Sequence, residues 1–264
     1  MQAFAYQNAA SLAEALQAIA AGAKPIAGGQ TLLQTMKMGL ATPEALVDLS
    51  GIAELQRIEV TADTVTIGAM TTHGTVAAHD GVRRAIPALA DLAANIGDRQ
   101  VRNRGTLGGS LANNDPAACY PAGVLGLGAT LKTDRRTIAA DDFFLGLYET
   151  ALEEGELLTA VSFPVPQKAA WQKFRQPASR FSLVGVFVSQ GPQGVRVAVT
   201  GAGACAFRVT ALEERLASSW SPTSCDGVKV DPTGLNSDLH GSAEYRAALI
   251  PVLARRAVEA TLAS

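Results

Sequence analysis

The 264 residues suffice for one large domain or two modest ones around a sizeable buried core. With 48% hydrophobic and 17% charged residues, the composition fits a compact globule and excludes a disordered tail protein. The 22 basic and 24 acidic residues form no basic stripe and no aromatic–basic interleaving, which removes nucleic acid from the expected partners.

No apolar run approaches the roughly 18 residues a membrane span needs. The opening MQAFAYQNAASLAEAL lacks the basic and apolar regions of a signal peptide, so the expected location is cytoplasmic. Cys119, Cys205 and Cys225 are odd in number and far apart, which fits reduced thiols rather than a disulfide framework.

In chain order, Ser11 and Glu14 form a capping-box pattern before a helix whose Leu12, Leu16 and Ile19 share a face, with Gly22 at its C-terminal end. A short strand over 25–27, a Gly28-Gly29 turn, a helix from about Thr31 and a strand over 45–49 follow. The first fifty residues thus read as strand, helix, strand, helix, strand. RIEVTADTVTIGAM alternates like a hairpin turning at Ala62-Asp63. A helix is expected over 87–96, and AGVLGLGATLKT and ELLTAVSFPV read as buried strands. FSLVGVFVSQGPQGVRVAVTGAG reads as a hairpin with a Gly-Pro turn. Helices are expected over 208–218 and 244–262, the second restarting at Pro251. The turn-rich stretch between them reads as a surface excursion.

Two segments carry the chemistry: PIAGGQTLLQTMKMG at 25–39 and RNRGTLGGSLANNDPAACYP at 102–121. Paired glycines let backbone N–H groups approach a ligand with no Cβ in the way. Where such a turn feeds a helix, the helix end adds attraction for an anion. Two such loops fit two phosphates, or a diphosphate and its sugar. Each pair taken alone reads equally as a tight turn. Arg99, Arg102 and Arg104 beside the second loop read as solvated or helix-end charges, with a diphosphate partner as the alternative.

Other signals point away from catalysis by this chain. VAVTGAGACAF matches a dinucleotide fingerprint, but a hairpin precedes it and no parallel strand with a terminal acid follows. His73, His79 and His240 lack metal-ligand spacing, and no C-x-x-C or G-x-S-x-G occurs. Neither catalytic residues nor metal ligands are therefore assigned.

AGGQTLLQTMK together with RNRGTLGGSLANNDPAACYPA resembles the paired flavin-binding motifs of the FAD subunit of molybdenum hydroxylases, the medium chain of the carbon monoxide dehydrogenase and xanthine dehydrogenase family. The likeness continues in order through DDFFLGLYETALEEGELLTAVSFP, QKFRQPASRFSLVGV, VTGAGACAFR and YRAALIPVLARRAVEA. It implies an α+β protein with a vanillyl-alcohol-oxidase-type (PCMH-type) FAD-binding fold of two α/β subdomains and a small C-terminal domain of antiparallel sheet and helices. The implied limits are 1–175 for the FAD domain, with subdomains of about 1–55 and 56–175, and 176–264 for the C-terminal domain.

The resemblance also implies a non-covalent FAD held by Ala27, Gly28, Gly29, Gln30, Thr31, Leu32 and Leu33, and by Thr106, Leu107, Gly108, Gly109 and Ser110. Asn114, Asp115, Cys119, Leu157, Leu158 and Lys173 complete the implied contacts, with Lys173 near the electron-rich end of the reduced ring system. The implied partners are a small [2Fe–2S] subunit and a large molybdopterin subunit, forming a dimer of heterotrimers in which electrons cross the clusters to FAD and leave to an acceptor. Two departures stand out. Cys119 occupies a place where the family often has Asp, facing ribityl or ribose hydroxyls, and Arg180-Phe181 replaces a commoner pair that begins with an acid. A stand-alone flavin oxidase of the same fold is the alternative, and a subunit that has lost its cofactor is a third reading. No histidine lies in either loop to tether a flavin.

Overall fold

A computed structural model describes residues 2–263; Met1 and Ser264, the outer limits of the expected domains, lie outside the described residues. The first unit alternates as its sequence predicts: β1 (Ala5–Asn8), α1 (Leu12–Ala20), β2 (Lys24–Ile26), α2 (Leu32–Lys37) and β3 (Ala45–Asp48). The strands form a parallel sheet in the order β1-β3-β2. Ser11 caps α1 by accepting from the Glu14 N–H, while the Glu14 carboxylate reaches back to the Ala10 N–H at 2.9 Å. Gly22 then takes φ +95°, which ends the helix and turns the chain into β2.

The second unit begins with the expected hairpin, β4 (Ile58–Val60) and β5 (Thr64–Gly68). A helical stretch follows: α3 (His73–Ala78), α4 (Asp80–Ala85), α5 (Pro87–Ala94), α6 (Arg99–Arg104), α7 (Leu107–Asn113) and α8 (Tyr120–Leu127). Then come β6 (Thr130–Thr133), β7 (Thr137–Ala139), a short hairpin β8 (Phe144–Gly146) and β9 (Glu149–Thr150), and β10 (Leu158–Pro164). The antiparallel sheet runs β4-β5-β10-β6-β7. One expectation fails here: AGVLGLG is the body of α8, not a strand, and only the following ATLKT is extended. Every residue of α8 is buried, so the helix has no polar face and its sequence shows no period of 3.6.

The third unit is β11 (Lys168–Arg175), β12 (Ser182–Gly191), β13 (Gly194–Thr200), β14 (Phe207–Arg208), α9 (Thr210–Ser218) and α10 (Ala243–Leu262). Its four strands pair antiparallel in chain order. Because β11 pairs with β12, the seam between the sheets lies ahead of Lys168, not at the 175/176 limit implied above. The VAVT of the fingerprint-like segment ends antiparallel β13, and the next helix starts only at Thr210, so no dinucleotide turn forms. Pro251 does not restart α10, which runs through it: Ile250 and Leu253 on either side are buried, and that packing outweighs the missing backbone donor.

The main core crosses this seam. Trp171, Phe187, Ala198 and Ala206 are buried in one cluster with Val65, Ile67, Val161 and Phe163 of the middle sheet. The C-terminal carbonyls of α8 are also satisfied from the third sheet. Arg196 Nε donates to Leu125 O at 2.7 Å, Ser189 Oγ to Gly126 O at 2.5 Å, and Gln193 Nε2 to Gly128 O at 2.9 Å. Arg196 further pairs with Asp141. Among the described residues, no helix is long and apolar enough to cross a membrane.

Candidate flavin site

The first glycine loop links β2 to α2, and its two glycines serve different ends. Gly29 sits at φ +69°, where a side chain costs about 1–2 kcal/mol. Gly28 has an ordinary φ, but a Cβ there would overlap the Arg104 carbonyl oxygen of the other loop. The first N–H here to bond within the chain is that of Leu33, which donates to Gly29 O at 3.2 Å. Among the described residues, the N–H groups of Gly28, Gly29, Gln30, Thr31 and Leu32 donate to no group of the chain. Gln30 is exposed and donates its side-chain amide to Gly28 O at 3.3 Å, which closes the loop from outside. Thr31 makes no side-chain capping bond.

The second loop is built the opposite way. Thr106 is the N-cap of α7, and its Oγ1 accepts from Gly109 N at 3.1 Å. Leu107 N donates to Thr71 O at 3.0 Å, Gly108 N to Ala69 O at 2.7 Å, and Ser110 N to Thr106 O at 3.1 Å. The four amides from Leu107 to Ser110 are thus spent inside the protein. The two loops therefore differ in how many amides they leave without an acceptor in the chain. What the second loop offers outward is the half-buried Gly109–Ser110 edge and the Ser110 hydroxyl. A Cβ on Gly109 would stand 3.2 Å from the Ala27 Cβ, so the loops meet at Ala27–Gly28 on one side and Arg104–Gly109 on the other.

His73, at the start of α3, ties the second loop from below by donating its N–H to Gly105 O at 2.9 Å. Its ring is 5% exposed and packs 5.3 Å from that of Tyr120. Burial, with help from the Arg102 charge, lowers the His73 pKa to about 4, so the ring is neutral at pH 7. Its Nδ1 lacks a partner, as do the buried Thr71 Oγ1 and Tyr120 OH beside it. Sequence reading did not find this polar group; the only signal was the TTH run at 71–73, which leads into α3. Arg102 donates to the Ile96 and Gly97 carbonyls, as a helix-end charge.

Past α7, Asn114 adopts the left-handed conformation at φ 44° and is fully buried. Its Nδ2 donates to Gly146 O at 2.9 Å and Glu149 O at 2.7 Å, pinning the β8–β9 hairpin and leaving Oδ1 unpaired. Asp115 accepts from Ala117 N at 2.8 Å. Cys119, 4% exposed, has its Sγ 3.3 Å from Lys173 Nζ and 3.6 Å from Ser182 Oγ. Lys173 also donates to Asn95 O at 3.0 Å.

Leu157 and Leu158 are both buried. Leu157 packs in the N-terminal cluster that Ala27 borders, and Leu158 in the main core. Leu157 is held by its N–H bond to Asp134 Oδ1 at 2.7 Å, next to the Glu156–Arg136 ion pair at 2.9 Å. The Arg136 guanidinium holds the Glu156 carboxyl at about 2. Arg180, at φ 63°, and Phe181 lie in the exposed β11–β12 turn, apart from the loops.

Residues 2–166 match the model of the family described as "FAD binding domain in molybdopterin dehydrogenase". The chain belongs to that family. This FAD-binding family member is 36% identical to the nicotine 6-hydroxylase medium subunit of Paenarthrobacter nicotinovorans, over 98% of this chain and 97% of that one. It is 34% identical to the carbon monoxide dehydrogenase medium chain of Afipia carboxidovorans, covering 97% and 96% of the two. Among solved structures, reconstituted CO dehydrogenase from Oligotropha carboxidovorans matches with a TM-score of 0.91 and 32% identity, over 99% of this chain and 98% of that chain. Quinoline 2-oxidoreductase from Pseudomonas putida 86 matches at 0.87 and 32%, over 98% and 97%. The family member is an oxidoreductase subunit of the medium-chain type, and its cofactor is FAD.

The residues present fit that cofactor. Five consecutive N–H groups with no acceptor in the chain, at a strand-to-helix turn, can donate to a diphosphate, which a neutral apolar ligand would not need. A buried acceptor with no partner, Asn114 Oδ1, stands ready for a hydroxyl.

Proposed function

We propose that this subunit carries one FAD non-covalently and relays electrons from the [2Fe–2S] clusters of a partner subunit to an external acceptor. The assembly would join it to a small iron–sulfur subunit and a large molybdopterin subunit, as a dimer of heterotrimers in the cytoplasm. The carbon monoxide dehydrogenase relatives support an assembly of this kind, being named as one chain of a larger enzyme. The observation that carries the reading is the run of free amides from Gly28 to Leu32.

In this reading Gly28–Leu32 hold the diphosphate, Ala27, Leu33 and Leu157 give the site apolar walls, and Thr106–Gly109 keep the loops in register. Leu158 backs that wall from the core. Ser110, Asn114 and Asp115 supply polar contacts to the sugar and ribityl chain, and Lys173 sits by the ring system. Bound FAD supplies two-electron chemistry with single-electron steps, and reduction places negative charge on its ring. No side chain of this subunit performs substrate chemistry; its residues bind, orient and exclude water.

An absorption spectrum of the purified protein should show flavin, and acid precipitation should leave the colour in the supernatant. Colour that stays with the pellet would refute non-covalent binding, and a colourless protein that takes up no added FAD would refute the reading. Co-purification with iron–sulfur and molybdopterin chains tests the assembly.

A further inference from the structure

Lys173 stands apart from the other buried and half-buried cations in this part of the fold. Arg196, Arg208 and Arg246 each face a carboxylate, and every ion pair among the described residues uses an arginine. Lys173 Nζ instead meets a backbone carbonyl, Asn95 O at 3.0 Å, and a sulfur, Cys119 Sγ at 3.3 Å. The carboxylate linked to this group is Asp91, which accepts from Asn95 Nδ2 at 3.0 Å and is already faced by Arg175. Arg175 in turn donates to Asn95 Oδ1. The sulfur also meets the Ser182 hydroxyl, itself 3% exposed. The ammonium is therefore held in place by dipoles, in a half-buried seam between α5, α8 and the third sheet, with no anion of its own.

We infer that Cys119 is a positioning residue that fixes Lys173 without neutralising it, so that the lysine charge favours the reduced flavin over the oxidised one. The inference rests on the flavin reading above. A cation a few ångströms from a group that gains negative charge stabilises the charged form, and a half-buried seam weakens that attraction less than water does. A charge beside the ring is one of the few levers a protein has on its cofactor's potential. A carboxylate at 119 would pair with Nζ and cancel this charge. A thiol orients the same lysine as an acceptor without doing so.

The test is the midpoint potential of the flavin-loaded full chain, with FAD dissociation constants for both redox states. Cys119→Asp should lower the ratio of reduced to oxidised affinity about tenfold, which is ~30 mV on a two-electron couple. Lys173→Met should lower it by a similar factor, while Cys119→Asn and Lys173→Arg should leave it near wild type. The inference is overturned if Lys173→Met leaves the potential unchanged, or if Cys119→Asn lowers it as far as Cys119→Asp. It is equally overturned if Cys119→Ser raises the potential, since the sulfur would then have carried the compensating charge. A wild-type chain that takes up no FAD refutes the flavin reading itself, a separate outcome from these.

Discussion

The two glycine loops look alike in sequence and are opposites in structure. The first keeps five N–H groups free at the surface, while the second spends its amides on Ala69, Thr71 and Thr106. In the proposed reading one loop is the receptor and the other the frame that shapes it. A glycine pair thus signals close backbone approach, and only the neighbouring acceptors decide whether a ligand or the protein itself does the approaching.

Substitution of Gly28 breaks this division of labour most severely. Gly28→Val would drive a side chain into the Arg104 carbonyl, separating receptor from frame. Loss of two charge-assisted amide contacts at about 1.5–3 kcal/mol each should weaken FAD binding by roughly two to four decades. Fluorescence titration measures it, and wild-type affinity would show that the loops need not touch.

The second effect belongs to the frame alone. Unfolded histidine binds a proton near pH 6.5, whereas His73 in the fold resists until about 4. The unfolded state therefore binds more protons throughout that interval, so stability is full above pH 6.5 and falls as the pH drops toward 4. The loss should approach about 3 kcal/mol, and His73→Gln should flatten the profile in urea unfolding across that range. An unchanged slope would mean that the ring finds a proton acceptor in the fold.

Thr106→Val is milder and sharpens the contrast further. Without the cap, the Gly109 N–H loses its partner, at a cost of about 1 kcal/mol in stability. Thermal unfolding should register it, while flavin affinity moves by less than about threefold because no receptor amide is touched. The smallest effect is expected at Gln30, where an exposed side chain serves only its own loop. Gln30→Ala should change stability by less than about 0.5 kcal/mol. A larger loss in flavin affinity at Gln30 than at Gly28 would invert the comparison.

Much of this was legible in the residues. The order of the first unit, both glycine turns and the 182–200 hairpin follow from turn chemistry and alternation, which are local. What escaped was set by neighbours distant in the chain. The helix at Tyr120–Leu127 is buried on all sides, so it carries no amphipathic stripe to betray its period. The occupied amides of the second loop depend on carbonyls at 69 and 71, which no spacing within the loop announces. Cys119 caps the start of α8, and its sulfur meets Lys173 of β11, a contact that no spacing within the 102–121 segment announces. Glycine spacing locates the loops, but only tertiary packing assigns their roles.

The way α8 ends in the grip of Arg196, Ser189 and Gln193 bears on how this protein can be cut and recombined. Residues 2–166 read as a self-contained module, yet a chain severed there would lose the side-chain donors to the Leu125, Gly126 and Gly128 carbonyls and strip Trp171 and Phe187 from the core. The cofactor-binding stretch is therefore not a cassette. A chimera that borrows its loops has to carry the third sheet with them.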